Sequence, residues 1–366
     1  MELFDNTCTD AFKGVWVFCE QRNGELMQTN FELLSEGRKL ADDLGVELCG
    51  ILLGDNVESL APKLGGYGAD RIYVCQSPLL KEYTTDAYTK VMCDIVMDKK
   101  PDIFLIGATN IGRDLGPRCA ARLHTGLTAD CTHLGVDTRK YLDYLKSGSS
   151  LDVDNMKWDM EDNCLKMTRP AFGGHLMATI ICPRFRPQMS TVRPGVMKKS
   201  EFDPAKSEAC KIELYPVSLN ESDIKTRVIE VVKEAKAMVD LTGAEVIVSV
   251  GYGISKNAKA GIELAEELAS ALGGVVGASR PVVDAGWISN EHQIGQTGKT
   301  VRPRIYFALG ISGAIQHQSG MQDSECIIAV NSNSAAPIFE AANYGICGDL
   351  FQIVPLMVEA AKAHLS

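Results

Sequence analysis

The chain has 366 residues, and its 37 lysines and arginines against 47 aspartates and glutamates leave a net charge of −10. An acidic chain does not attract the phosphates of DNA or RNA, so we predict no nucleic-acid partner. No apolar run approaches the ~20 residues that span a membrane. The first residues carry acids where a signal peptide carries lysines. We therefore expect a cytoplasmic protein without membrane insertion. The length of the chain is sufficient for two domains of roughly 150 residues each.

The twelve cysteines are the first candidates for a metal or cluster site. No C-x-x-C pair occurs among them, although zinc and iron–sulfur sites nearly always use one. Most stand beside apolar residues, as Cys19 does after Val17 and Phe18. We interpret them as buried free thiols in a reducing compartment and predict no metal site.

The N-terminal half alternates short apolar runs with amphipathic segments, which is typical of βαβ units in a parallel sheet. The predicted strands are 14–19, 46–53, 71–74, 103–106, 176–181 and 211–217. The predicted helices are 29–44, 84–97 and 115–123.

The loop 107–114 after one of these strands has two interpretations. Its glycines, Thr109 and Arg113 are suited to holding a phosphate. The same residues are equally suited to capping the following helix, with Arg113 and Asp114 paired at the surface. The residue types favour helix capping over phosphate binding without excluding phosphate binding.

Two further segments of the first half are less regular. Residues 141–167 are rich in acids and serines, which indicates a surface excursion or a hairpin. Arg-Pro pairs at 169–170, 186–187 and 193–194 flank the strand 176–181. Each pair places an extended backbone beside a guanidinium group, which suits either ordinary surface structure or a rigid edge against a subunit or ligand.

A charged amphipathic helix predicted over 221–240 marks the end of the first domain, and we place the boundary between 1–233 and 234–366. The second domain begins a new α/β alternation, typical of a doubly wound sheet. Its predicted strands are 245–250, 275–278, 305–309, 326–330 and 352–354, and its predicted helices are 257–272 and a last one ending at Ala363.

The strand 305–309 leads into the strongest candidate site. Gly310 ends it, and the next residues predict a helix with Ser312 as its N-cap. Free backbone N–H groups and a helix N-terminus there suit a pyrophosphate, although an ordinary strand–helix turn has the same pattern. Ser279, Arg280, the run 312–317 and Asn331 all follow predicted strands, where doubly wound sheets bind ligands.

These segments carry a specific resemblance. The chain resembles the alpha subunit of electron-transfer flavoproteins in the runs 277–280, 283–286, 294–298, 310–317, 336–339, 344–346 and 349–351, and in 112–118, 169–174 and 186–194. The resemblance implies an α/β fold with an N-terminal, nucleotide-hydrolase-like parallel-sheet domain and a C-terminal, Rossmann-like doubly wound domain that binds FAD.

The resemblance also implies roles for individual residues. Those expected at the pyrophosphate and ribityl chain are Ser312, Gly313, Ala314, Ile315 and Gln316. Those expected at the adenosine end are Asn331, Asp349 and Leu350. Those expected around the isoalloxazine are Arg280, Gln296, Thr297 and His317, and the predicted cofactor-binding set further includes Ser279, Ile294 and Gly295.

The residue types at the ring suit redox chemistry. Reduced flavin gathers negative charge at N1 and the C2 carbonyl, which a cation such as Arg280 and a donor such as His317 stabilise. The hydroxyl of Thr297 is a hydrogen-bond partner for N5. The structural alternatives are helix capping for His317 and a turn for Thr297.

The function implied is that of an electron carrier rather than a free-standing catalyst. Its expected partners are a beta subunit and an acyl-CoA dehydrogenase or another flavin dehydrogenase, with NADH acting through the beta subunit as a second donor. An electron-bifurcating complex that uses NADH and a separate ferredoxin is the alternative within the family. A stand-alone NAD-dependent enzyme and a purely structural nucleotide-binding module are alternatives from other classes.

Two features depart from the family pattern. Gly251-Tyr252-Gly253 stands where the family usually shows Gly-Arg-Gly, so a cation beside the cofactor is missing and an aromatic ring takes its place. The acidic segment 141–163 is longer than the corresponding family loop, and we hypothesise that it makes a partner-specific contact.

Overall fold

The computed structural model describes residues 4–149, 151–171, 176–231, 241 and 243–365. These residues form two compact units: the first contains the described residues up to 231 apart from Leu176, and the second contains Leu176 and the described residues from 241 onwards. The predicted domain boundary at 233 lies outside the described residues. No described helix is long and apolar enough to cross a membrane.

The first unit is built on a parallel sheet. The strands up to residue 231 are β1 Val15–Cys19, β2 Gln21–Arg22, β3 Glu25–Leu26, β4 Leu48–Gly54, β5 Arg71–Gln76, β6 Ile103–Gly107, β7 Leu127–Cys131, β8 His133–Gly135, β9 Lys166–Ala171, β10 Leu176–Ile180, β11 Gln188–Val192 and β12 Lys211–Tyr215. Seven of them form the main sheet in the order β12-β5-β4-β1-β6-β11-β7, and every neighbouring pair runs parallel. β8, β9 and β10 form a small second sheet, and β2 pairs with β3 in a hairpin.

Helices cover both faces of the main sheet. They are α1 Gln28–Leu44, α2 Ala61–Gly65, α3 Thr85–Lys99, α4 Asn110–Arg122, α5 Thr138–Gly148 and α6 Pro204–Ala209. Because side chains alternate along a strand, β1 sends Val15 and Val17 into one apolar layer and Trp16 and Phe18 into the other. A strand buried on both faces needs a continuous apolar run, which is what β1 has.

The second unit repeats this arrangement on a smaller scale. Its strands are β13 Val246–Val250, β14 Val275–Ala278, β15 Ile305–Leu309, β16 Cys326–Asn331 and β17 Tyr344–Cys347, and its helices are α7 Ala258–Ala271, α8 Arg280–Asp284, α9 Ile315–Gln318, α10 Ile338–Ala341 and α11 Leu350–Leu365. The sheet order is β14-β13-β15-β16-β17 and all pairs are parallel. The predicted α/β fold with parallel sheets is confirmed.

Several predicted elements of the second unit are wrong. Residues 352–354, predicted as a strand, lie inside α11. The helix predicted to start at Ser312 begins instead at Ile315, follows Ala314 and has only four residues. Gly313, at a φ of +86°, interrupts the chain between Ser312 and that helix.

The loop 107–114 behaves as a helix start. α4 begins at Asn110 rather than at the predicted residue 115, and the Thr109 hydroxyl accepts the backbone N–H of Gly112 at 3.0 Å. Arg113 and Asp114 do not pair with each other. Arg113 lies 2.9 Å from Asp130, while Asp114 accepts hydrogen bonds from Tyr83 and Thr85.

Two predictions about the irregular segments of the first unit need correction. The segment 141–167 was predicted as a surface excursion or hairpin, but its first part is helical, because α5 extends to residue 148. Tyr141 and Leu145 of this helix pack with Val153 and Trp158 in a small apolar cluster. The helix predicted over 221–240 is absent from residues 224–231, which have no regular structure. Its remainder, 232–240, lies outside the described residues.

Candidate nucleotide site of the second unit

A cavity of about 720 Å³ opens at the carboxyl ends of the neighbouring strands β13, β14, β15 and β16. The residues of the predicted set that line it are Ser279, Arg280, Ile294, Gly295, Gln296, Thr297, Ser312, Ala314, Gln316, His317 and Asn331. Its volume falls within the ~300–1,000 Å³ typical of small-molecule sites. The topology therefore brings these side chains together from segments far apart in the sequence.

The remaining residues of the predicted set lie elsewhere. Gly313 and Ile315 are not among the lining residues of this cavity. Asp349 and Leu350 line a second cavity of about 90 Å³, which shares Gly253, Gly310 and Asn331 with the first. The two cavities are therefore neighbours along one edge of the sheet.

Three glycines allow two loops to meet beneath the cavity. A Cβ atom on Gly251 would lie 2.3 Å from the carbonyl oxygen of Gly310, and one on Gly253 would lie 2.7 Å from the Gly310 Cα. Gly310 itself has a φ of +62°, which favours glycine. Gly253 and Gly310 both line the cavity, and neither has a side chain that would keep a phosphate away from the backbone.

The segment after Gly310 is held by backbone contacts rather than by a helix. A Cβ atom on Gly313 would lie 2.2 Å from the backbone nitrogen of Ile338, and the Ser312 carbonyl accepts the Ile338 N–H at 3.1 Å. α9 is too short to supply a substantial macrodipole. The anion-binding capacity expected of a helix N-terminus at Ser312 must therefore come from backbone N–H groups of the loop.

A tight turn forms another wall of the cavity. The Ile294 N–H donates to the Ala278 carbonyl at 2.9 Å, and the Gln296 N–H donates to the Gln316 carbonyl at 2.6 Å. The Thr297 hydroxyl accepts a hydrogen bond from the Gln293 side-chain amide at 3.0 Å. The Thr297 hydroxyl hydrogen thus stays available for another acceptor. Thr297 also lies in a turn, which was the structural alternative given for it in the sequence analysis.

His317 is more deeply placed than its sequence context predicted. The side chain is buried, and its Nε2 lies 2.9 Å from the hydroxyl of the fully buried Tyr306. Burial lowers the pKa of His317 to about 4, so the ring is neutral near pH 7. Its Nδ1, near the Ile294 backbone, makes no hydrogen bond of normal geometry.

Arg280 is the only lysine or arginine among the described lining residues, and no aspartate or glutamate lines the cavity. Its guanidinium is mostly exposed, and its Nε lies 3.2 Å from Asp284 one helical turn away. The cavity therefore offers one flexible positive charge and no acid–base carboxylate.

Sequence reasoning missed an aromatic pair at the cavity. Tyr252, which lines it, stacks on Trp287 with ring centroids 5.4 Å apart and an interplanar angle of 22°. Tyr252 stays 57% exposed. The sequence placed an aromatic ring at residue 252, but it gave no signal that Trp287 would stack on that ring. Packing against Trp287 thus holds the Tyr252 ring at the cavity.

Metal ligands are not gathered anywhere in the described part of the chain. No group of three or more His, Cys, Asp or Glu side chains there is placed to hold a metal ion. Of the cysteines, Cys19, Cys49, Cys75, Cys93, Cys119 and Cys131 are buried and free. Burial raises the pKa of Cys75 to about 12, which makes it an unreactive thiol.

Comparison with known proteins gives matches over both halves of the chain. Residues 15–221 match the family described as the electron transfer flavoprotein domain, and residues 240–322 match the electron transfer flavoprotein FAD-binding domain. The acryloyl-CoA reductase electron transfer subunit beta of Anaerotignum propionicum is 65% identical over 98% of each chain. The electron transfer flavoprotein subunit alpha of Thermoanaerobacterium thermosaccharolyticum is 51% identical over 96% of this chain and 98% of its own. Protein FixB of Clostridium saccharobutylicum is 51% identical over 97% and 98%.

A doubly wound unit with a glycine-floored cavity at its strand ends defines a nucleotide-binding α/β protein. The matches identify which one: the chain belongs to the electron-transfer flavoprotein alpha-subunit family, and it is an electron-transfer flavoprotein subunit.

Proposed function

We propose that the second unit binds one FAD and that the chain carries electrons for a flavin dehydrogenase. The observation that carries this proposal is the cavity of about 720 Å³ at the carboxyl ends of four parallel strands. Its lining residues up to His317 fall within 240–322, the stretch that matches a FAD-binding domain. The exposed backbone around Gly310 supports a close approach of the pyrophosphate.

We assign the binding of the nucleotide part to two neighbouring places. The loop of Ser312, Gly313, Ala314, Ile315 and Gln316 would hold the pyrophosphate and ribityl chain. Because α9 is short, backbone N–H groups and the Ser312 hydroxyl would supply the hydrogen bonds.

The adenosine end would lie towards the smaller cavity. Asn331, Asp349 and Leu350 line it, and Asn331 already uses its side-chain amide to donate to the Ile311 carbonyl at 2.8 Å. That hydrogen bond fixes the rotamer of Asn331 and turns its carbonyl oxygen to the Asn333 N–H at 2.9 Å. Asp349 caps α11 by accepting the Phe351 N–H at 3.0 Å, so it would act mainly through its remaining oxygen.

The other end of the cavity would receive the isoalloxazine ring, next to Arg280, Gln296, Thr297 and His317. When bound, FAD supplies one- and two-electron transfer that no amino-acid side chain provides. Arg280 would stabilise negative charge on the ring, and the Thr297 hydroxyl would donate a hydrogen bond. His317 is neutral and hydrogen-bonded to Tyr306. It would contact the isoalloxazine with the edge of its imidazole ring and would add no charge. Ser279, Ile294 and Gly295 complete the wall.

The partners we propose are a beta-type subunit and an acyl-CoA dehydrogenase or reductase. Support comes from the relative at 65% identity, whose name describes an electron transfer subunit of acryloyl-CoA reductase. We also propose the cytoplasm as the site of action, because the cysteines are free, as in a reducing compartment. A ferredoxin partner stays a prediction without a specific observation in its favour.

Reconstitution tests this function. The chain is co-produced with a beta-type subunit from the same genome, and electron flow from a short-chain acyl-CoA dehydrogenase to a dye is measured with and without it. The proposal expects dye reduction that requires both the flavoprotein and the acyl-CoA. Dye reduction by NADH alone with a colourless protein would instead indicate the NAD-dependent enzyme.

A further inference from the structure

Three arginines of the first unit gather at one edge of its sheet, and we call them, with Asp130, the arginine cluster. Arg113 stands in the first turn of α4 after β6, and Arg193 directly follows β11. Arg169 belongs to β9, and Asp130 to β7. Because β6, β11 and β7 are neighbouring parallel strands, their carboxyl ends meet at this edge.

Backbone contacts fix the positions of these residues. The Arg193 N–H donates to the Cys131 carbonyl at 3.0 Å, which ties the end of β11 to the end of β7. The Asp130 N–H donates to the Thr191 hydroxyl at 3.0 Å, and Asp130 has a φ of +58°. Arg113 donates from Nε to the Ala108 carbonyl at 2.9 Å. The cluster is therefore held by the sheet and by the first turn of α4.

The charges of the cluster do not balance. Asp130 is its single carboxylate, and Arg113 lies 2.9 Å from it. The guanidinium groups of Arg169 and Arg193 form no hydrogen bond or ion pair with any residue that the structure describes, and the Arg169 Nε is buried without an acceptor. Among the described residues, two positive charges are thus left without a counterion.

The pKa shift of Arg193 agrees with an excess of positive charge in the arginine cluster. Burial lowers the pKa of the Arg193 guanidinium, Asp130 acts in the opposite direction, and the charges of Arg113 and Arg169 add to the lowering. A half-buried guanidinium with donors to spare is stabilised most by an oxoanion, which accepts paired hydrogen bonds from it.

We propose that the arginine cluster of the first unit is a binding site for a small oxoanion, a phosphate or carboxylate group. The location supports a small ligand, since parallel α/β sheets bind ligands at the carboxyl ends of their strands. The neighbouring buried carboxylate, Glu20, does not compete with the ligand for the cluster. Its oxygens are occupied by Arg22 at 2.7 Å and by the Thr109 hydroxyl at 2.5 Å.

The test measures thermal unfolding of the protein as purified, in inorganic phosphate, acetate or chloride at equal ionic strength. At an anion concentration a few-fold above Kd, binding to the native state raises Tm by about 2–4 °C over chloride. Phosphate and acetate are compared because a larger rise with one of them identifies the preferred oxoanion.

Arg193→Met removes one charge and keeps most of the apolar stem. We expect this variant to lose the anion-dependent rise and to be no less stable than the wild type in chloride. Arg169→Met should behave in the same way and serves if the first variant does not fold. Arg122→Met, at an exposed position on the last turn of α4, is the matched control and should keep the full rise.

Two results would overturn the proposal. One is a wild-type Tm that rises no more in phosphate or acetate than in chloride. The other is an equal rise in the wild type and in both cluster variants. If the first of these results comes with loss of a copurifying subunit in Arg193→Met, the cluster belongs instead to a protein interface.

Discussion

The Tyr306 hydroxyl and the His317 imidazole form a buried pair at the cavity of the second unit. The two side chains meet across eleven residues of sequence, with the hydroxyl 2.9 Å from Nε2. The motif around residue 317 indicated a functional histidine, but its burial depends on the strand beneath it. Sequence alone therefore predicted the residue and not its protonation state.

Because His317 is buried in its neutral form, the free energy of unfolding depends on pH. Its folded-state pKa of about 4 lies below the ordinary value of 6.5, so between these values the unfolded chain binds the proton and the native chain does not. Stability is then lost as pH falls from 6.5 towards 4, by up to ~3 kcal/mol at 1.36 kcal/mol per pKa unit. We expect the stability difference between wild type and His317→Gln, measured by urea unfolding at pH 7.5 and pH 4.5, to shrink at the lower pH. An unchanged difference would contradict the neutral assignment.

Tyr306→Phe tests the hydrogen bond itself. The substitution keeps the ring in a fully buried site and leaves Nε2 without its hydrogen-bond partner, which should destabilise the protein by about 1–3 kcal/mol. Denaturant unfolding measures the change. Tyr344→Phe, at a tyrosine that is 66% exposed, should change stability little and is the matched control. Equal effects of the two substitutions would show that the buried hydroxyl contributes nothing.

Arg280 should set the reduction potential of a bound flavin. Arg280→Gln removes the only lysine or arginine among the described lining residues, so the reduced, negatively charged ring loses stabilisation. We expect the two-electron midpoint potential to fall by roughly 20–60 mV, equivalent to ~1–3 kcal/mol. Spectroelectrochemical titration measures it. Arg280→Lys keeps the charge and should shift the potential less; equal shifts would rule out a charge effect.

Among the elements, the short apolar strands were the easiest to predict. The runs ending at Val250, Ala278 and Leu309 are mostly apolar and bounded by glycine or polar residues, so their strand character was visible. The error at 352–354 arose because Ile353 and Val354 look like strand residues.

The burial pattern explains that error. Leu350, Val354 and Val358 are all buried and follow one another at intervals of four, as one face of a helix requires. A window of three residues was too short to reveal this period. At Ser312, similarly, the prediction did not account for the backbone that Gly313 adopts.

Gly313→Ala tests the backbone loop that replaces the expected helix. The added Cβ would meet the Ile338 backbone at 2.2 Å, and the φ of +86° is unfavourable for alanine. We expect loss of more than ~4 kcal/mol of stability or failure to retain flavin. Gly24→Ala has a similar φ of +81° but nothing within 4 Å, so it should cost only about 1–2 kcal/mol. Equal destabilisation in denaturant unfolding would assign the whole effect to φ.

At the scale of the whole molecule, the parallel sheets followed from the alternation of apolar runs and amphipathic helices. The sequence did not predict the additional strands β2, β3, β7, β8, β9, β11 and β17. β17 is exposed along its whole length, so burial gives it no apolar run to recognise. β11 contains Gln188, Ser190 and Thr191, all buried, and buried polar residues conceal a central strand from hydropathy.

The hypothesis that 141–163 contacts a partner is best tested by substitutions at exposed positions rather than by deletion of the segment. Deletion would remove Tyr141 and Trp158 from their apolar cluster and disturb the fold. Leu151, Met156 and Met160 are 57%, 50% and 49% exposed. Replacing all three with serine should weaken dehydrogenase docking about tenfold, some 1.4 kcal/mol, and leave Tm unchanged. Titration of dehydrogenase by surface plasmon resonance measures the affinity, and an unchanged Kd would dispose of the contact.

The cavity of the second unit is the centre of this account, and its occupant can be identified in one measurement. The purified protein is denatured with acid, and the released cofactor is quantified by absorbance near ~450 nm and identified by mass spectrometry. We predict one FAD per chain in the wild type and none retained by Gly313→Ala. A colourless wild-type protein purified with its full complement of nucleotide, or full FAD occupancy in both proteins, would contradict the assignment of flavin to this cavity.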